Sequence, residues 1–339
     1  VSGRRWSFIA GRPFLPAQDD PFAAGLGGTE QAVIHLTAAL AALGDAVTVA
    51  GASATPRMWN GVAWQLAPPG HADITVAIND ARLLPRDSGI CAIWFHNEVE
   101  LGKEIRRGRL RSILRARPAA VFIGTAQARA ASRLLPFSRR MVIPYGLSDR
   151  ILNAPMASAP PPPVALFTSQ AYRGLKEVLA MWQSHVADAV PDAQLRAFIA
   201  ADDVPAYRAL AGSPGVTIAP RIGNDAVLAQ LRQARVLLAP GHVSETFCLA
   251  AAEAIAVGVP VVTLGIGSLK ERVRDGVDGF VCKSYAEMAE RTRALLSDDA
   301  LWLRMQAAGV ATRSAKDWLS VAENWQKSFG SFLQKRTSS

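Results

Sequence analysis

Two carboxylates, Glu245 and Glu253, stand with seven residues between them in the otherwise apolar stretch from Val236 to Cys282. A carboxylate accepts hydrogen bonds from neighbouring hydroxyls, so the pair suits a polyhydroxylated ligand. Glu253 is placed to hold a ribose diol and Glu245 a sugar hydroxyl. Thr246, Phe247, Cys248 and Leu249 lie where a helix is expected to open. Its first backbone N–H groups have no intrahelical partner there and favour an anion such as a diphosphate. A plainer reading is that Glu245 merely favours the helix dipole and Glu253 is solvated. For Glu253 this fits poorly, because Ala250, Ala251, Ala252, Ala254 and Ile255 leave little polar face around it.

The elements that position these acids follow from the pattern. Val236 to Ala239 is a short apolar strand stopped by Pro240-Gly241, and His242 to Thr246 is a polar loop. Phe247 to Val257 is Ala-rich and closed by Gly258, as a helix. Val259 to Leu264 is a second buried strand, so the unit reads strand, helix, strand of a parallel sheet.

Other strands are expected at Trp6 to Ala10, Ala46 to Ala50, Ile74 to Ile78, Cys91 to Phe95, Ala120 to Gly124, Val164 to Thr168, Gln194 to Ile199 and Val216 to Ile218. A loop with Pro13, Pro16 and Pro21 leads to Gly25-Leu26-Gly27-Gly28-Thr29-Glu30 and an Ala- and Leu-rich helix, Gln31 to Leu43. As a dinucleotide fingerprint this loop fails, since the third glycine is missing. Asn224 is expected to cap a helix from Asp225 to Ala234. His96 follows the end of a strand, on the side where open sheets bind ligands; the other reading is a packed bystander.

Lys103, Arg107, Arg111 and Arg115 recur every four residues, with Arg106, Arg109 and Arg117 beside them. With Leu101, Ile105, Leu110, Ile113 and Leu114 they predict one basic amphipathic helix over 101–117. Either it is the solvated outer helix of a sheet domain, or it attracts an anionic membrane surface or an acidic acceptor. Nucleic acid is disfavoured, because no aromatic interleaving or reader motif accompanies the cluster.

The segment around the two acids resembles the nucleotide-sugar site of the retaining glycosyltransferases of family 4. That family carries a Glu, seven residues, Glu motif followed by a Gly-x-Pro-Val-Val strand. Here Glu245 and Glu253 are followed by Gly258-Val259-Pro260-Val261-Val262. Gly267 to Val273 is similar to the family's Gly-rich loop, and Asp275-Gly276 precedes Gly279-Phe280-Val281. Gly27, Gly28, Thr29 and Glu30 are similar to its cleft loop. Met141 to Gly146 resembles its Val-Ile-Pro-Asn-Gly segment, with Tyr145 in place of Asn.

The resemblance implies a GT-B fold of two facing Rossmann-like domains, with a C-terminal helix crossing back to the first. It implies transfer from a nucleotide-diphosphate sugar with retained anomeric configuration, without a metal or other cofactor. Diphosphate contacts fall to Arg173, at the family's Lys position, and to Lys176 and residues 246–249. The family's earlier Arg falls near Gln170 and is missing. Glu253 would hold the ribose, while Glu245 and His96 would position the donor sugar.

At 339 residues, half hydrophobic, the chain can bury two domain-sized cores. Expected boundaries are 1–150 for an acceptor-side domain, 151–163 for a proline-rich linker, 164–315 for the nucleotide-sugar domain and 316–339 for the returning helix. Trp318, Val321, Trp325, Phe329 and Phe332 give that helix an apolar stripe. Of the net charge of +9, residues 1–150 carry +7 (18 Lys/Arg less 11 Asp/Glu). Three widely spaced cysteines suit a reducing compartment. No leader or membrane span is expected, so the expected location is cytoplasmic, with peripheral attachment to the membrane's inner face as an option. The expected acceptor is a glycan, a lipid-linked sugar or another polar molecule, in envelope or exopolysaccharide synthesis. The competing readings are a non-catalytic nucleotide-sugar or glycan-binding subunit and a GT-B epimerase.

Overall fold

The computed structural model describes residues 3–14, 26–86, 89–212, 214–313 and 317–337, with side chains through residue 331. Pro16, Pro21 and Gly25 of the N-terminal loop, and the Phe332 side chain, lie outside the described residues. Two compact units are present: 3–14, 26–146 and 317–337 form the first, and 147–313 the second.

The first unit is built on an eight-stranded sheet. Its strands are β1 (Arg5–Ile9), β2 (Ala46–Ala50), β3 (Arg57–Trp59), β4 (Val62–Gln65), β5 (Ile74–Ile78), β6 (Ile90–Phe95), β7 (Ala119–Phe122) and β8 (Arg139–Val142). They run in the order β3-β4-β2-β1-β5-β6-β7-β8. Every pair is parallel except the β3–β4 hairpin, whose turn uses Asn60 and Gly61, both at positive φ. Such near-continuous apolar strands suit a sheet covered on both faces, and β5 is buried at every position.

The helices of this unit are α1 (Gly28–Ala42), α2 (Leu101–Arg106), α3 (Leu110–Ala116), α4 (Thr125–Ala130) and the C-terminal helix Trp318–Thr337. The last packs along α1. Its Trp325 and Phe329 are fully buried, with Trp325 at 5.1 Å from Trp94 and Phe329 at 5.3 Å from Trp6, both edge-on.

The single helix expected over 101–117 is two. Gly108, at φ +67°, breaks it, and Arg109 turns inward to Asp80 at 3.3 Å and Glu104 at 3.6 Å. A left-handed residue ends a helix readily, and the inward ion pairs favour the break over a continuous amphipathic rod.

The second unit holds β9 (Val164–Phe167), β10 (Gln194–Ile199), β11 (Val216–Pro220), β12 (Val236–Leu238), β13 (Val261–Thr263) and β14 (Gly279–Val281). All pairs are parallel, in the order β11-β10-β9-β12-β13-β14. Its helices are α5 (Asp149–Leu152), α6 (Leu175–His185), α7 (Val204–Leu210), α8 (Asn224–Leu231), α9 (Leu249–Ala256), α10 (Leu269–Arg272), α11 (Tyr285–Ser297) and α12 (Asp299–Val310). Asn224 does not cap α8: Gly223 holds that position, and the Asn224 side chain makes no cap bond.

From β9 the chain winds outward through β10 and β11, then returns to β12 on the other side of β9. Such a reversal leaves a crevice at the carboxyl ends of the two strands where it occurs. The first unit reverses in the same way between β1 and β5.

Candidate active site

Two loops meet at the reversal of the second sheet. One follows β9 and leads through Arg173-Gly174 into α6; the other follows β12 and leads through Glu245 into α9. Gly174 adopts φ +101°, and a Cβ there would sit 3.0 Å from both the Pro240 ring and the Tyr285 hydroxyl. Glycine therefore permits this approach where a side chain would strain it. A guanidinium nitrogen of Arg173 donates to Glu245 Oε2 in an ion pair that joins residues 72 apart in sequence. Burial works against the Arg173 cation, but the Glu245 charge and the Tyr172 side chain together outweigh it and raise its pKa above the ordinary arginine value. The other carboxylate oxygen of Glu245 accepts the Cys248 amide at 3.2 Å. Its main-chain carbonyl accepts the Ser268 amide at 3.0 Å, which ties the β12 loop to the Gly-rich loop after β13.

The helix expected from Phe247 begins at Leu249. Cys248 precedes it at φ +60° and ψ +71°, left-handed backbone that costs an L-residue roughly 1 kcal/mol. With the Cys248 amide committed to Glu245, Leu249 and Ala250 carry the first amides of α9 that have no acceptor among the described residues. Thr246 is 9% exposed, and the Phe247 ring is buried beneath the Arg272 guanidinium, 4.3 Å from the ring centre. Burial, then the Glu245 charge, pushes the Cys248 thiol up to about 12, so it stays protonated.

Glu253 lies one turn into α9. The reading that it is simply solvated does not hold. It is half-buried, and desolvation pushes its carboxyl up to about 7. Among the described residues nothing hydrogen-bonds or ion-pairs with its carboxyl. Lys176 is exposed in the first turn of α6, without an ion pair among the described residues. Arg173, Glu245 and residues 246–249 are thus gathered directly. Glu253 and Lys176 stand on the two helices that the converging loops feed.

In the first unit, Gly27, Gly28, Thr29 and Glu30 open α1, with Gly27 at its N-cap. His96 follows β6 and is 4% exposed. Burial lowers its pKa to about 3, so the ring is neutral at ordinary pH. The Trp94 ring lies 4.3 Å away between centroids. The His96 amide donates to Asn79 Oδ1 at 2.7 Å, and its Nδ1 hydrogen-bonds the Tyr145 hydroxyl. Tyr145 also bonds the Thr29 hydroxyl, and burial followed by the Glu30 charge raises its pKa well above the usual phenol value. The cleft loop and His96 are therefore linked through Tyr145. Sequence reasoning assigned Tyr145 no role, although its departure from the family's Asn was the available signal.

The basic cluster is partly neutralised. Lys103 pairs with Glu98 at 2.7 Å and Glu100 at 2.8 Å, whereas Arg106, Arg107, Arg111 and Arg115 are exposed beside Ile105 and Leu114. Among the described residues no three His, Cys, Asp or Glu side chains gather as metal ligands, and no helix is long and apolar enough to cross a membrane.

Residues 162–298 match the family model for glycosyl transferases group 1. The D-inositol 3-phosphate glycosyltransferase of Nocardia farcinica is 35% identical over 108 residues, 31% of this chain and 24% of that protein, so the match spans about a quarter of that relative. Among solved structures, sucrose-phosphate synthase from Thermosynechococcus elongatus aligns over 98% of this chain and all of its own, with a TM-score of 0.74 at 16% identity. Anabaena HepE in complex with UDP and glucose aligns over 97% of this chain and all of its own, with a TM-score of 0.68 at 14% identity. The region from 162 to 298 is thus similar to the group 1 glycosyl transferases, and the chain has the GT-B fold of two Rossmann-like units.

Proposed function

We propose that the chain is a retaining glycosyltransferase that moves a sugar from a nucleotide-diphosphate sugar to a glycan, a lipid-linked sugar or another polar acceptor, without a metal. The observation that carries this reading is the convergence of Arg173, Glu245 and the start of α9 at the reversal of the second sheet, with Glu253 one turn on. A diphosphate fits the open amides of Leu249 and Ala250 together with the cations Arg173 and Lys176, which would stabilise it as leaving group. Glu253, in its ionised form, would accept from a ribose diol. Glu245 and His96 would orient the sugar. The acceptor oxygen would attack C1 on the face from which the diphosphate departs, as the family resemblance implies.

UDP-glucose is the first donor to try, because the related fold of HepE is seen with UDP and glucose. A phosphate-bearing polyol is a sensible first acceptor, given the name of the Nocardia relative. The exposed Arg106, Arg107, Arg111 and Arg115 would favour such an acceptor, or an anionic membrane that presents it, in envelope or exopolysaccharide synthesis at the cytoplasmic face. A panel of UDP, GDP and ADP sugars, assayed for acceptor-dependent release of nucleoside diphosphate with and without chelator, tests the reading. Release at a chelator-insensitive rate is expected; no release with any donor would overturn it.

The Arg173–Glu245 pair favours one second reading, a non-catalytic nucleotide-sugar-binding subunit, because it occupies a cation that the diphosphate needs. Tight nucleotide-sugar binding without turnover would select that reading.

A further inference from the structure

The Tyr145 hydroxyl has one hydrogen to give and two neighbours, His96 Nδ1 and the Thr29 hydroxyl. The Thr29 bond favours the phenolate form, as a hydroxyl donating to the phenol oxygen does. A phenol O–H is a much stronger acid than a neutral imidazole N–H, so in this contact Tyr145 gives its hydrogen to His96 Nδ1 and is left to accept from Thr29. The nearby Glu30 charge disfavours loss of the phenol proton, so Tyr145 remains a donor. A neutral imidazole carries one proton, and the bond made by one ring nitrogen decides where that proton resides.

The rings in this array are held in place. Trp94 lies against His96, and the Trp318 ring of the C-terminal helix lies 6.0 Å from Tyr145. A Cβ on Gly146 would strike Trp318 at 2.8 Å, so glycine lets Tyr145 and that helix close together. The His96 main chain is pinned separately by Asn79. The His96 ring orientation thus comes from packing, and its proton position from Tyr145.

We propose that Tyr145 is a positioning residue, whose hydroxyl, oriented by Thr29, holds the His96 ring in the tautomer with its proton on Nε2. His96 then offers a hydrogen to a sugar oxygen and does not act as a base. This deepens the glycosyltransferase reading and rests on it for the identity of the sugar. The tautomer itself is a property of the free protein.

The test is long-range proton–nitrogen NMR on the full chain labelled with nitrogen-15 histidine. There are five histidines to resolve, and the signal lost in His96→Gln identifies the one of interest. Wild type is expected to hold a single His96 tautomer protonated at Nε2. Tyr145→Phe, with an unchanged fold by circular dichroism, is expected to give a mixture, and Thr29→Val a smaller shift in the same direction. In turnover, Tyr145→Phe should raise KM for the sugar nucleotide about fivefold to tenfold, the worth of one hydrogen bond, while Kd for UDP stays unchanged. Protonation at Nδ1 in wild type would overturn the proposal, as would a Tyr145→Phe spectrum identical to wild type. If no nucleotide sugar is turned over, the glycosyltransferase reading fails while the tautomer measurement still decides the role of Tyr145.

Discussion

The two units place their candidate groups at similar points of similar sheets, yet by opposite chemistry. In the first, His96, Tyr145 and Thr29 form a neutral hydrogen-bonded chain packed among Trp94 and Trp318. In the second, Arg173 and Glu245 form an ion pair with Arg272 over the adjacent Phe247 ring, and the desolvated Glu253 carboxyl stands one turn into α9. A neutral array keeps one geometry across a wide pH range and suits orientation of uncharged hydroxyls. A charged cluster can respond to an incoming anion, because its ion pair can rearrange and an elevated carboxyl can release its proton. The first kind of contact suits hydroxyl groups and the second suits an anion.

The largest expected effect breaks the charged side. Arg173→Ala leaves the Glu245 carboxylate, whose side chain is 10% exposed, without its cation. Removing one partner of such a pair should cost about 2–4 kcal/mol in denaturant unfolding, with most of the loss recovered in Arg173→Met/Glu245→Gln. If Arg173→Ala is as stable as wild type, the pair is a surface contact and the charged cluster is overdrawn.

The next effect concerns pH. Glu253 has a folded pKa of about 7 against an ordinary 4.5, so the folded state binds the extra proton between those values. Its contribution to stability is present below about 4.5 and is lost as pH rises through 7. With Glu253 holding the ribose as proposed, binding needs its carboxylate, so nucleotide affinity should rise over the same range, and Glu253→Gln should flatten both profiles.

His96 has the opposite sign, and its pH effect should be smaller in binding. With a folded pKa of about 3 against 6.5, the folded state resists protonation, and stability is lost as pH falls below about 6.5. His96→Gln should remove that acid limb of the melting curve. It should introduce no change in the pH dependence of UDP binding between 5 and 8. A UDP-binding profile that loses an inflection near neutrality in His96→Gln would merge the two regions.

The smallest effect is at Cys248. Glycine relieves its left-handed backbone but gives up the buried thiol and adds freedom to the unfolded chain. With each term at about 1 kcal/mol, one gain stands against two losses. Cys248→Gly should therefore be about 1 kcal/mol less stable than wild type, and Cys248→Ala, which keeps the strain and loses only the thiol, should be less stable by a similar amount.

Much of this was legible in the residues because it is local. Apolar runs gave β2, β5 and β10 at their observed bounds, and the Ala-rich run gave α9 within two residues. The spacing of Glu245 and Glu253 placed one acid in a loop and one in a helix. The failures have physical causes of two kinds. Gly108 and Cys248 act through single left-handed residues, whose weight against an amphipathic or helical pattern depends on the packing around them. The Arg173–Glu245 and His96–Tyr145 contacts join residues 72 and 49 apart. No one-dimensional pattern encodes that Arg173 would spend its charge on the neighbouring loop's glutamate, or that Arg272 would lie over Phe247.

The most direct measurement is calorimetric titration of UDP-, GDP- and ADP-sugars into wild type and into Glu245→Gln/Glu253→Gln. At least one sugar nucleotide should bind wild type and lose about a hundredfold or more in affinity to the double variant, as expected when two buried polar contacts are withdrawn together. Equal affinity in the two proteins would contradict the assignment of the nucleotide-sugar site to the crevice between the β9 and β12 loops.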